Sequence, residues 1–326
     1  MSAFFVLIAL ALLFNFLDGF NDSSNIVATV ISSRAMPPRL ALSLVAVAEF
    51  CGPFVFGVAV AGTIGKSLIA ASAASLTVLV AAIGAACIWD IFVSLAGIPS
   101  SSSHALVGGM IGATVIASGF QALLLPGLLK VAIALFISPV IGLGMGYLFT
   151  HLIFYLARDA DMKANEFFKR AQFVTAFSLG LSHGANDAPK AMGVITLGLM
   201  AIKAIPNFQV PLWVIAMGAA AVALGTSIGG WRTIKTLGIG IFKVKPVHGF
   251  CTQAASAVVI LAADLLGGPV SSTQVIGSAL LGVGAAERPN MVRWNVAGQI
   301  AIAWLLTIPA SAAIAALLFQ VIRNLL

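Results

Sequence analysis

The stretch Gly19-Phe20-Asn21-Asp22-Ser23-Ser24-Asn25 returns, 165 positions later, as Gly184-Ala185-Asn186-Asp187-Ala188-Pro189-Lys190. A second motif follows each copy: Pro99-Ser100-Ser101-Ser102-Ser103 reappears 170 positions on as Pro269-Val270-Ser271-Ser272-Thr273. Two motifs in the same order, at nearly the same offset, imply two homologous halves. We place them at 1–157 and 165–326, with a linker over 158–164.

The surroundings of these motifs are strongly apolar. Of 326 residues, 60% are hydrophobic and 8% charged, with a mean hydropathy of +1.10; soluble chains run near ~45–50% and ~25%. The expectation is therefore an all-α, polytopic membrane protein, with apolar material for about 10–12 transmembrane helices at roughly 20 residues each. Soluble enzymes and nucleic-acid binders are excluded at this step. The net charge of +7, from 17 Lys and Arg against 10 Asp and Glu, reads as loop charge held on the cytoplasmic side, densest over 158–170 and 230–246. Cys51, Cys87 and Cys251 lie in apolar runs without C-x-x-C spacing, which indicates neither disulfides nor a metal site. The first apolar run lacks a basic leader and reads as a retained helix.

Each Asn-Asp pair interrupts an apolar run. An aspartate at the centre of a membrane helix costs roughly 2.5–3.5 kcal/mol, so Asp22 and Asp187 both need a compensating partner. Proline is tolerated in the first turn of a helix, and Pro189 thus suggests Asn186 or Asp187 as an N-cap where a broken helix restarts. By symmetry, Asn21-Asp22 would cap a half-helix running through Ser23, Ser24 and Asn25. A cap that merely steadies a packing kink is the plainer alternative. Pro99 and Pro269 should end the helices before them and leave hydroxyls at the start of the next, where free N–H groups and the dipole attract an anion. Ordinary hydrogen bonding between helices is the competing use of such serines.

Together these residues make a small polar pocket near the bilayer midplane. Neutral donors suit an oxyanion, and carboxylates suit Na⁺, a hard cation that prefers oxygen. Two aspartates and a phosphate of about −1.5 to −2 cannot share one low-dielectric site without added positive charge, so cations should enter with the anion. Glu49 is a lone acid in its run and stands as a third cation ligand, a proton-titrating site or a paired structural acid. Asp90 and Asp264 align at neither offset and read as run-end or helix-pairing residues. His104 faces Gln274 across the repeat and His183 faces Asp18, so both imidazoles read as hydrogen-bonding residues. Lys190 is near Asp187, but its counterpart is Asn25, which argues against a shared charge role.

With Gly-x-Asn-Asp in both halves and a Pro-x-Ser-Ser run after each, the sequence resembles the inorganic phosphate transporter (PiT) family. The resemblance implies inverted-topology repeats with broken or re-entrant helices, forming one transport domain with its termini on the outer face. It also implies phosphate uptake driven by Na⁺ or H⁺. Asn21, Asp22, Asn186 and Asp187 match its signature, Ser101, Ser102, Ser271 and Ser272 match its substrate-binding serines, and Glu49 falls where it has a functional glutamate. Gln253 stands where related carriers often have Glu, and His104 keeps the Ser-Ser-x-His ending that Gln274 departs from. The expected phosphate ligands are Asn21, Ser101, Ser102, Ser103, Asn186, Ser271, Ser272 and Thr273. The expected Na⁺ ligands are Asp22, Asp187, Asn25 and Glu49, with Gln253 and His104 as further candidates. No organic cofactor and no nucleic-acid partner is expected; phosphate, Na⁺ or H⁺ and the lipid bilayer are, in a plasma (inner) membrane and compatibly with a homo-oligomer. The other readings are a sulfate or other tetrahedral oxyanion symporter, a passive anion pore, and an intramembrane serine hydrolase using Ser103 and His104. The last is disfavoured because adjacent helical residues point about 100° apart.

Overall fold

The computed structural model describes residues 2–97, 100–159, 163–229 and 244–325. Pro99, the middle of the linker and most of the basic 230–246 stretch lie outside the described residues. Eleven α-helices make up the described chain: α1 (Ser2–Ser32), α2 (Pro38–Phe56), α3 (Ala59–Ser67), α4 (Leu76–Ala96), α5 (Ser102–Ser118), α6 (Leu125–Leu156), α7 (Lys163–Ala201), α8 (Leu212–Ile228), α9 (Pro246–Leu265), α10 (Ser272–Glu287) and α11 (Trp294–Leu325). Local chemistry sets many of their ends. Prolines open α2, α6 and α9, where their missing N–H costs nothing. Ser75 caps α4 by accepting from the Val78 N–H, and Gly97 ends it in the left-handed region at φ 68°.

Six of the described helices are individually long and apolar enough to cross a membrane: α1, α2, α4, α6, α9 and most of α11. The helices that begin at the serine motifs, α5 and α10, have 17 and 16 residues. At 1.5 Å per residue they reach roughly 24–26 Å, short of a hydrocarbon core of about 30 Å. Large apolar side chains such as Phe120, Val140 and Leu266 face outward, as a lipid-facing surface requires, while Asp22, Glu49, Asp187 and Lys190 are buried inside.

Close backbone contacts interlock the bundle. A methyl group on Gly52 of α2 would stand 2.4 Å from the Leu181 carbonyl oxygen of α7, and one on Gly225 of α8 would stand 2.0 Å from that of Phe16 on α1. Phe16 and Leu181 are themselves 165 positions apart. The same exchange recurs at the serine-motif helices. Gly112 of α5 abuts Ala312 of α11, and Gly146 of α6 abuts Ala279 of α10. Without a hydrophobic driving force between helices in lipid, small residues that permit backbone approach supply the packing. The outcome is that α1 and α7 lie together at the centre, each gripped by the second helix of the opposite segment.

The helix breaks expected at the Asn-Asp pairs are absent. Both α1 and α7 run unbroken through them, and neither Asn21, Asp22, Asn186 nor Asp187 is a cap. The hydroxyls of Ser23 and Ser24 fold back onto the Phe20 and Asn21 carbonyls at 2.8 and 2.6 Å, an arrangement a continuous helix tolerates. Pro189 sits inside α7, where it removes one backbone donor without ending the helix. The polar residues found partners in the protein, so the backbone did not have to open for them.

Candidate functional site

The serine motifs behave as their sequence suggests. Ser101 is the N-cap of α5, accepting from the His104 N–H at 3.2 Å, and Ser271 is the N-cap of α10, accepting from the Gln274 N–H at 3.3 Å. The two loops touch: the Ser103 hydroxyl donates to the Val270 carbonyl at 3.0 Å, and His104 Nε2 lies 3.5 Å from Gln274 Nε2.

The start of α10 delivers its hydroxyls onto both aspartates. Ser272 Oγ lies 2.6 Å from Asp22 Oδ2 and 2.6 Å from Asp187 Oδ2, bridging α1 and α7. Thr273 donates to Asp22 Oδ1 at 2.6 Å, and Asn25 Nδ2 donates to that same oxygen at 2.9 Å. All these groups are buried. The corresponding residue of the first copy, Ser102, is likewise buried, and so are Asp18 and Asp90. One oxygen of each, Asp18 Oδ2 and Asp90 Oδ2, is buried with no partner among the described residues.

Positive charge enters from α7. His183 Nε2 stands 2.6 Å from Asp187 Oδ2 and 3.4 Å from Asp22 Oδ2, while Nδ1 stands 2.8 Å from Glu49 Oε1. The Nδ1–Oε1 approach is a close contact without hydrogen-bond geometry, and the imidazole is a cation only when protonated. Lys190 Nζ is paired with Asp187 Oδ1. Asp22, His183 and Asp187 also present ligand atoms close enough together to hold a metal ion. A low-dielectric interior makes such fixed charges count strongly.

Among the expected ligands, the structure brings together Asp22, Asn25, Glu49, Asp187, Ser272 and Thr273. Asn21 and Asn186 sit beside them but donate to backbone carbonyls, of Asp90 at 3.3 Å and Gly268 at 3.2 Å. Gln253 belongs to a separate buried cluster one turn further along α1, donating to Thr29 at 3.0 Å and accepting from Thr175 at 2.6 Å. His104 pairs with Ser101 through Nδ1 at 2.7 Å, and Ser103 is engaged elsewhere, so no Ser103–His104 dyad forms. His183, Lys190, Asp18 and Asp90 are not among the ligands expected from the sequence. Helical spacing carried a signal for two of them, since His183 and Lys190 lie four before and three after Asp187. An apolar cavity of about 470 Å³ between α6, α10 and α11 opens onto the rim at Asn25 and Thr273.

Comparison with known proteins points one way. The family model described as "Phosphate transporter family" matches this chain twice, over residues 18–163 and 155–315. A Rhizobium meliloti protein named "Probable low-affinity inorganic phosphate transporter" is 42% identical, the match covering 96% of this chain and 94% of that protein. A Bacillus subtilis protein of the same name is 39% identical, covering 98% and 96%. A solved structure titled "The sodium-dependent phosphate transporter" superposes with a TM-score of 0.90 at 25% identity, over the whole of both chains.

Proposed function

This chain belongs to the phosphate transporter family, and on that premise we propose that it takes up inorganic phosphate by symport with Na⁺ through alternating access around the Asp22–Asp187–Ser272 site. It is a multi-pass integral membrane transporter and not an enzyme. The plasma membrane is its proposed location. Its two halves, 1–157 and 165–326, are proposed as inverted repeats whose first helices supply the aspartates and whose serine-led helices supply the hydroxyls.

The observation that carries the reading is the Ser272 hydroxyl shared between the two aspartates, with Thr273 on Asp22 beside it. These hydroxyls are the neutral donors an oxyanion needs, and here they are directed at carboxylates. A cation at Asp22 takes over that carboxylate and releases the hydroxyls toward the anion. Cation binding thus prepares the phosphate site, and the two ligands assist each other by linkage. The relative titled as sodium-dependent supports Na⁺ as the coupled ion. A hydrogen phosphate ion can in addition donate a proton to a carboxylate, which sulfate cannot, and this favours phosphate over sulfate.

Calorimetric titration of phosphate into the purified protein tests the order. Binding should be strong in Na⁺ and lost when Na⁺ is replaced by choline; equal affinity in the two buffers would remove the coupling.

A further inference from the structure

The two aspartates occupy equivalent positions, yet their surroundings differ by one charge. Three residues after Asp22 stands Asn25, and three after Asp187 stands Lys190. Each takes the Oδ1 of its own aspartate, Asn25 through its amide at 2.9 Å and Lys190 through its ammonium. The Oδ2 of each aspartate lies 2.6 Å from the Ser272 hydroxyl, whose single proton is donated to one of them at a time. The contact from the residue three positions on is therefore the same on both sides and differs in its chemistry, while Asp22 Oδ1 also accepts from Thr273.

That change alters what the aspartate can recruit. An amide leaves the carboxylate its negative charge and offers a carbonyl oxygen of its own, which a hard cation accepts. An ammonium neutralises the carboxylate, repels other cations and has no acceptor to offer. Lys190 is 1% exposed and among the largest fully buried side chains. Burying an ammonium costs several kcal/mol unless it is well paired, so Asp187 holds Lys190 in place as firmly as Lys190 neutralises Asp187.

We propose that Lys190 is a built-in cation at Asp187, so that the aspartate pair recruits its mobile cation on the Asp22 side alone. The carrier then moves one cation fewer per phosphate than it would with an amide at position 190. This rests on the reading of the chain as a cation-coupled phosphate symporter.

The test is the limiting accumulation of labelled phosphate in proteoliposomes containing the full chain, with the membrane potential clamped at zero. A tenfold gradient of the driving cation, Na⁺ or H⁺, is imposed on wild type and on Lys190→Asn. Each additional coupled cation raises the limiting ratio by one more factor of the gradient, so Lys190→Asn should exceed wild type by about tenfold. Lys190→Gln, which restores the side-chain length with a neutral amide, is read in the same way if the asparagine variant does not fold. An unchanged limit in the folded amide variant overturns the assignment of Lys190 while leaving the symport reading intact. Failure of the wild type to concentrate phosphate under either gradient overturns the symport reading, and this proposal with it.

Discussion

His183 and Glu49 face each other across the packed seam of α7 and α2, with Nδ1 2.8 Å from Oε1 and both side chains wholly buried. The contact exists because Gly184 follows His183: a methyl group there would stand 2.2 Å from the Glu49 carbonyl oxygen. A glycine adjacent to the imidazole lets two helices close until an acid and a base from different parts of the chain meet. The same imidazole reaches Asp187 and Asp22, so one ring organises three carboxylates from three helices.

Removing that ring should be severe. His183→Ala removes the imidazole that Glu49, Asp187 and Asp22 all contact, and leaving a buried polar group without its partner typically costs about 1–3 kcal/mol, more where it is charged. We expect a lowered thermal midpoint in detergent and loss of phosphate uptake. A variant as stable and active as wild type would mean that the carboxylates do not depend on it.

Glu49→Gln is gentler, since the amide keeps the shape and one acceptor for His183. Expression and folding should persist while cation-driven uptake falls, because a negative charge that the site relies on is gone. Flux measured against Na⁺ concentration checks this, and an unaltered curve would make Glu49 purely structural.

The hydroxyl and carboxylate roles should separate in binding. Ser272→Ala loses a direct donor to the anion and should weaken phosphate by roughly 5–150-fold, equivalent to about 1–3 kcal/mol, at any Na⁺ concentration. Asp22→Asn should weaken phosphate through its effect on Na⁺ and partly recover at saturating Na⁺. Calorimetry across a Na⁺ series distinguishes them; recovery of both variants to the same degree would contradict the division.

Packing offers a prediction independent of transport. Gly112→Ala places a methyl group 2.0 Å from the Ala312 carbonyl oxygen and must push α5 away from α11, whereas Gly144 has nothing within 4 Å. Gly144→Ala should be neutral or stabilising by about 0.5–1 kcal/mol through helix propensity. Thermal midpoints of the two variants should therefore move in opposite directions, or Gly112 alone should fall.

Much of this was legible in the sequence. The doubled motifs located the aspartates and the serine-led helices, where Ser101 and Ser271 are the N-caps; the preceding helix α4 ends at Gly97, ahead of its proline. The continuity of α1 and α7 was not legible, because whether a polar residue breaks a membrane helix depends on partners that only packing supplies. The Asp22 partners Ser272 and Thr273 come from some 250 residues away. The role of Lys190 is not legible from symmetry, because its counterpart is Asn25. The structure shows the asymmetry itself, with one aspartate held by an amide and the other by an ammonium.

The central claim, that phosphate moves with Na⁺, is tested most directly by uptake of labelled phosphate into proteoliposomes under an inward Na⁺ gradient at equal pH on both sides. The account predicts transient accumulation above the external concentration, abolished when Na⁺ is equal across the membrane. Accumulation of the same size with Na⁺ absent and only a pH gradient imposed would contradict it.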